Sequence, residues 1–295
     1  MSDNQHKIQC VSETAAWVAA YRAQESLRTD RLFNDPYAEK LAGKRGKELV
    51  VEIPAARERS WAIVVRTRVL DDLIIKAISK GKIDTVINLG AGLDTRPYRL
   101  ALPSSLNWVE VDLPAIISHK EKVLANDKPV CKLERITCDL GKKDERAALY
   151  EQLKSVGTRW LVITEGLLVY LQPEAVRTMA QELHDLEQCQ YWLFDSCTQS
   201  GVSLALQRYK SGFSNTQKPF TFGLPDDQGI HYFSQFGWQV AHESHLDEQA
   251  RRYGRLPRLP WYSLERITAL IKWVMCSAAQ RKIMRTMYGY GLLQR

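Results

Sequence analysis

Four carboxylates stand where strand-like runs end: Asp94 after "VINLG", Asp112 closing "WVEVD", Asp139 in "CDL" and Glu165 in "ITEG". The first run is followed by Gly90, Ala91 and Gly92, whose two glycines let the backbone approach a ligand without a Cβ clash. A dinucleotide fingerprint, G-x-G-x-x-G, would want a third glycine at position 95 beside a pyrophosphate. The chain has Thr95 preceded by Asp94, and an acid there repels phosphate. Asp112 stands where an acid bonds a ribose diol in either cofactor class. Asp139 beside Leu140 suits an adenine, the carboxylate accepting from the exocyclic amine while the apolar side chain covers the ring. Such an edge suits a cationic ligand with a diol and a purine and no phosphate.

S-adenosyl-L-methionine meets that description. Its carboxylate needs a cation, and Arg66, on the helical stretch before the first strand, is the first candidate, with Arg22 second. Each residue has an ordinary alternative: Asp94 as a helix cap, Asp139 as a turn residue, and Arg66 as a surface partner of Asp71.

The elements that must carry these residues alternate. Strands are predicted at Thr85–Leu89, Asn107–Val111, Leu133–Cys138, Trp160–Thr164 and Tyr191–Asp195, as short apolar runs that suit strands buried on both faces. Helical patterns fall between them at Leu113–Asn126, Lys142–Ser155 and Pro173–Glu187. This is the rhythm of an α/β fold with a doubly wound, mostly parallel sheet. Ahead of it, Ala55–Ser79 sets Trp61, Val65, Val69, Leu73 and Ala77 four residues apart on one helix face, and Asp35 with Pro36 opens a shorter helix through Leu41. The chain is read as a single domain: a helical cover over 1–80, a cofactor-binding core over 81–198, a lid insertion over 199–230, and C-terminal strands and helix over 231–295. Within the insertion from Gln199 to Asp227, Tyr209, Phe213, Phe220 and Phe222 offer apolar walls for an acceptor pocket or a packed lid. Leu264, Ile267, Leu270, Ile271, Val274, Met275 and Ala278 share a helical face, and Arg285–Leu293 reads as a last, antiparallel strand.

Composition narrows the class. With 295 residues, 45% hydrophobic and 25% charged, the chain has the profile of a globular protein. The N-terminus lacks a signal-peptide core and no apolar run reaches membrane-spanning length, so a cytoplasmic location is expected. The six cysteines form no C-x-x-C pair, and His242 with His245 lacks the company of a metal site, so no metal is expected. The net charge of +7 is uneven, because residues 251–295 hold ten Lys and Arg against one acid, Glu265. A solvated surface is the ordinary reading; contact with RNA or an anionic membrane is the alternative.

The segments "SETAAWVAAYRAQES", "DPYAEKLAG", "RTRVLDD", "NLGAGLDTRPYRL", "EVDLP", "CDL" and "ITEGLLVYL" occur in the order seen in the leucine carboxyl methyltransferase superfamily. Over about residues 10 to 260 the chain resembles its bacterial branch of S-adenosyl-L-methionine-dependent methyltransferases. The resemblance implies a class I, Rossmann-like methyltransferase fold and cofactor contacts at Arg66, Gly90, Asp112, Asp139, Leu140 and Glu165, with Ala91, Gly92 and Asp94 in the same turn and Arg22 from the N-terminal segment. It also implies that Tyr170 and Arg66 face the acceptor. For Tyr170 the alternative is a core aromatic with its hydroxyl tied to backbone.

Methyl transfer from a sulfonium is an in-line displacement, so positioning supplies most of the acceleration. A carboxylate acceptor is already ionised, whereas an alcohol or phenol needs a base. Apart from His184 late in a helix, no histidine stands close behind the fourth or fifth predicted strand, which favours a carboxylate or an acidic hydroxyl as acceptor, with O-methylation of a carboxylate on a small organic acceptor as the first reading. The alternatives are a protein C-terminal carboxylate, or a nucleic-acid-binding protein using the basic C-terminal segment; an NAD-dependent oxidoreductase is disfavoured by Asp94 and Thr95.

Overall fold

The structure, a computed structural model, describes residues 11–52, 60–209, 220–256 and 276–295. Among these, β1 (Thr85–Leu89), β2 (Asn107–Asp112), β3 (Lys132–Thr137), β4 (Trp160–Thr164), β5 (Cys189–Cys197), β6 (Gln239–His245) and β7 (Tyr288–Gln294) form one sheet in the order β3-β2-β1-β4-β5-β7-β6. The first five strands are parallel, and β7 runs antiparallel between β5 and β6. The chain winds outward from β1 to β3, then returns to β4 on the other side of β1. That reversal opens a crevice at the carboxyl ends of β1 and β4, where sheets of this kind bind ligands.

Alternation along the central strands feeds two cores. Ile87, Leu89, Val109, Val162 and Trp192 face α6 (Lys143–Leu153), α7 (Pro173–Asp185) and the 3₁₀ segment Gly229–Phe236. Val86, Trp108, Leu161, Ile163 and Leu193 face α3 (Ser60–Gly81) and α9 (Leu246–Arg252). On α3 the predicted stripe of Val65, Val69, Leu73 and Ala77 is buried against that face, and Trp61 is partly buried beside it. A third cluster lies under the cover made by α1 (Val11–Ser26) and α2 (Ala38–Glu52), with Tyr21, Leu41 and Leu49 packed near Leu93 and Tyr98.

Some elements differ from the sequence reading. The helix expected to end at Leu41 begins at Ala38 and continues to Glu52, through a kink at Gly43, whose φ of 57° and ψ of −161° are not helical. Strand β5 is longer than predicted at both ends: Cys189 pairs with Trp160 of β4 ahead of the predicted start, and β7 pairs with β5 through Cys197 beyond the predicted end. Gln199 opens a helix, α8 (Gln199–Tyr209), and Phe222 of the same insertion is buried against the main core beside Tyr232 instead of facing a ligand. The side chains of Tyr209 and Phe213, and the predicted helix from Leu264 up to Met275, lie outside the described residues; α10 (Ala278–Thr286) follows them. The remaining helices are α4 (Arg96–Arg99) and α5 (Pro114–Val123). No helix among the described residues is long and apolar enough to cross a membrane.

Candidate active site

The turn after β1 is held open by its glycines. Gly90 has φ of 71° and its Cβ would lie 2.9 Å from Cδ1 of Leu167; Gly92 has φ of 49°. The N–H groups of Gly90 and Ala91 donate to Val111 O at 2.8 and 3.1 Å, which ties the turn to β2. Asp112, at the end of β2, accepts from the N–H of Gly92 and of Leu113, both at 2.7 Å. Burial pushes its carboxyl above the usual range, and those two N–H groups pull it back in part. A carboxylate has about four acceptor positions, so two remain for a diol.

Below the turn lies a network of charges. Asp94 Oδ1 accepts from the Arg96 N–H at 3.0 Å, so the cap reading holds in part, and its Oδ2 accepts from Asn88 Nδ2 at 2.9 Å and Arg96 Nη1 at 3.2 Å. Burial would raise the Asp94 carboxyl; Arg96, Lys120, Arg99 and Arg22 together hold it down at about 2. Arg96, 2% exposed, also binds Asp71 at 2.7 Å and Glu165 at 2.7 Å. Asp71 takes Arg99 in a two-pronged pair at 2.6 and 2.9 Å. The alternative in which Asp71 pairs with Arg66 is thereby replaced: Asp71 is buried and serves Arg96 and Arg99.

Arg66 turns to the strand ends instead. Its Nη1 donates to Asp195 Oδ2 at 3.1 Å, and its Nε lies 2.9 Å from Glu165 Oε1, an ionic contact in which the N–H is not aimed at the oxygen. Burial works against the Arg66 charge, but Asp195 and Glu165 raise its pKa above the ordinary value. Glu165 is lowered despite burial, by Arg96 and Arg66. Arg22 lines the same cavity, with Nε on Asp35 of the cover at 2.9 Å and Nη2 on Leu93 O of the turn after β1 at 2.5 Å, so two of its three nitrogens tie the cover to that turn. Asp35 also accepts from Thr95 Oγ1 at 2.7 Å.

These residues surround one cavity of about 540 Å³, which holds Gly90, Asp112, Asp139, Leu140 and Glu165 at one end. Asp139 accepts from the Gly141 N–H at 3.0 Å through Oδ1, as a turn residue would, while its Oδ2 meets Lys142 Nζ at 3.6 Å and the side chain stays 41% exposed. Buried Asn88 Oδ1, at the wall of the same cavity, has no hydrogen-bond partner among the described residues. The other end is mostly apolar, with Ala62, Val169, Val202, Ala205 and Phe220, and it includes Ser196, Cys197 and Tyr288. Tyr170, on the 3₁₀ turn Leu168–Tyr170, packs its ring 5.5 Å from that of Phe220, and its hydroxyl lies 3.5 Å from Thr14 Oγ1 of α1. All ten positions singled out in the sequence for cofactor contact, and Tyr170, line this cavity. Asp195, Arg96 and Arg99 were given no role there, and Asp71 was read only as a surface partner of Arg66. The abrupt charge in "DTRPYR" was the visible signal for Arg96 and Arg99, and Asp195 at a strand end had the same cue as Glu165.

The family model for leucine carboxyl methyltransferase matches residues 15–184. The chain belongs to this family. A Streptomyces coelicolor protein named "Putative S-adenosyl-L-methionine-dependent methyltransferase SCO7813" is 32% identical over 259 residues, covering 82% of this chain and 87% of that protein. A Streptomyces avermitilis protein of the same description is 31% identical, over 92% of this chain and 98% of its own length. In fold, a "putative methyltransferase" from Thermobifida fusca superposes with a TM-score of 0.57 at 14% identity, over 99% of this chain and 96% of that one. This member of the leucine carboxyl methyltransferase family has the class I methyltransferase architecture, with its cavity at the sheet's point of reversal.

Proposed function

We propose that this chain, an S-adenosyl-L-methionine-dependent methyltransferase, methylates a carboxylate oxygen of a small organic acceptor. The residues present fit the cofactor. Asp112 keeps acceptor positions for a diol, Asp139 and Leu140 sit together for an adenine, and the Gly90–Gly92 turn makes room for close approach. Arg66 would meet its carboxylate. Bound S-adenosyl-L-methionine supplies an electrophilic sulfonium methyl; the protein's part is to orient an oxygen in line with it and keep water away.

The observation that carries the acceptor reading is the chemistry of the cavity wall. Among the described residues that line it, none is a histidine or a lysine. At the acceptor end the carboxylate of Asp195 is committed to Arg66 and to the Gly166 N–H. An acceptor that brings its own negative charge needs no base there. An apolar wall of Val202, Ala205 and Phe220 suits the body of a small organic acid, and a volume shared with the cofactor favours such a molecule over a protein C-terminus. Tyr170, which lines the cavity and packs against Phe220, would hold the acceptor by its hydroxyl.

The test is product chemistry. With labelled S-adenosyl-L-methionine and a panel of small aliphatic and aromatic acids, the methylated product should release its label as methanol in mild alkali. Tyr170→Phe should raise the acceptor's KM or lower kcat while cofactor affinity stays unchanged. Methylation confined to alkali-stable ethers would move the assignment to a phenol or alcohol.

A further inference from the structure

Strand β5 ends in "FDSC", and Asp195 there reaches across to β4. Its Oδ1 accepts the Gly166 N–H at 2.6 Å and its Oδ2 accepts Arg66 Nη1 at 3.1 Å. Gly166 has φ of 63°, and a Cβ on it would lie 3.3 Å from Arg66 Nη1, so the guanidinium rests against the turn that follows Glu165. Arg66 is thus gripped by the ends of two neighbouring strands, with Glu165 from β4 on one side and Asp195 from β5 on the other.

The charges of this chain do not cancel. From Arg22 through Asp35, Arg99, Asp71, Arg96, Asp94, Glu165 and Arg66 to Asp195, four arginines face five carboxylates. Asp195 is the terminal member, and without it the sequence of pairs is neutral. It also lines the cavity beside Ser196 and Cys197, on the side towards the acceptor. A carboxylate can serve a backbone N–H and a guanidinium at once, whereas an amide has only one oxygen for the two donors.

We infer that Asp195 is a positioning residue that fixes Arg66 and the Glu165–Gly166 turn, and whose unbalanced negative charge makes the site prefer the cationic methyl donor over its neutral product. Donor and product differ by the methyl group and the charge on sulfur, so the ratio of their affinities reads the field of the site at that atom. Loss of packing or hydrogen bonds would weaken both ligands alike; loss of a charge acts on both through the ammonium and carboxylate they share, and on the donor additionally through its sulfonium, so it changes the ratio. The inference rests on the cofactor and is independent of whether the acceptor is a carboxylate.

Calorimetric titration of S-adenosyl-L-methionine and S-adenosyl-L-homocysteine into the wild-type, Asp195→Asn and Asp195→Glu proteins tests it, with no acceptor present. Asp195→Asn should shift the affinity ratio against the donor by roughly threefold to tenfold, the size expected of one unit charge acting through a partly wet site. Asp195→Glu, which keeps the charge, should restore most of the ratio even where both affinities are lower. An unchanged ratio in Asp195→Asn, or the same loss of ratio in Asp195→Glu, overturns the inference. Either outcome leaves the acceptor assignment to the alkali test.

Discussion

At the scale of single residues, Asp112 is the group whose removal tests the ribose assignment. Its carboxylate fastens the Gly92 and Leu113 N–H groups and keeps two acceptor positions for the ribose. Asp112→Ala should therefore weaken S-adenosyl-L-methionine by roughly 1 to 3 kcal/mol, the cost of losing charge-assisted bonds. Calorimetry reads this directly, and an unchanged affinity would place the ribose elsewhere. The residues at strand ends were legible because the pattern of apolar runs reveals where strands stop. Their partners were not. Arg66 and Asp71 are close in sequence, but five residues along a helix turns the side chain by about 140°, so the two point to different neighbours. Asp71 meets Arg96 and Arg99, and Arg66 meets Glu165 and Asp195, contacts that only the folded chain creates.

At the scale of elements, the same physics decides what could be read. Strands β1 and β4 are buried at every position and read as unbroken apolar runs. Strand β6, "QVAHESH", lies at the sheet edge with much of its length exposed, and its polar sequence carries little strand signal. The kinked α2 was read short because nothing in "AEKLAGKRGKELVVE" separates a helix end from a bend at Gly43. By contrast, the centre of β5 is fixed by aromatic packing: Trp192 is fully buried, with its ring 4.7 Å from Phe233 and 5.7 Å from Trp238, and its Nε1 donates to Thr164 Oγ1 at 2.9 Å. Trp192→Ala should cost about 3 to 5 kcal/mol in urea unfolding, through the cavity and the lost hydrogen bond. Because Asp195 lies on the same strand, cofactor affinity should fall as well. A loss below about 1 kcal/mol would mean that the site is supported independently of this core.

At the scale of the whole molecule, the charged network joins the helical cover to the sheet. Arg22 of α1 binds Asp35, Asp35 binds Thr95 of the glycine turn, and Arg99 and Arg96 carry the connection through Asp71 to Glu165 and Arg66. Such a network makes stability depend on pH, and Asp94 shows the sign. Its native carboxyl ionises at about 2 although burial opposes this, because four cations surround it, whereas an unfolded aspartate ionises at about 3.9. The ionised form is thus favoured in the native state. Its contribution is complete above the unfolded value and disappears as pH falls through the native one. The shift corresponds to roughly 2 to 3 kcal/mol, and Glu165 and Asp35, also lowered, act in the same direction. Glu110 and Asp112, raised by burial, oppose it, so the slope of the parent protein alone is ambiguous. The difference between parent and Asp94→Asn removes that ambiguity. Measured by urea unfolding, the parent's advantage should be constant above about pH 5 and shrink between about pH 4 and 2. An advantage that survives undiminished to about pH 2 would mean that Asp94 acts through the shape of its hydrogen bonds to Asn88 and Arg96 and not through its charge.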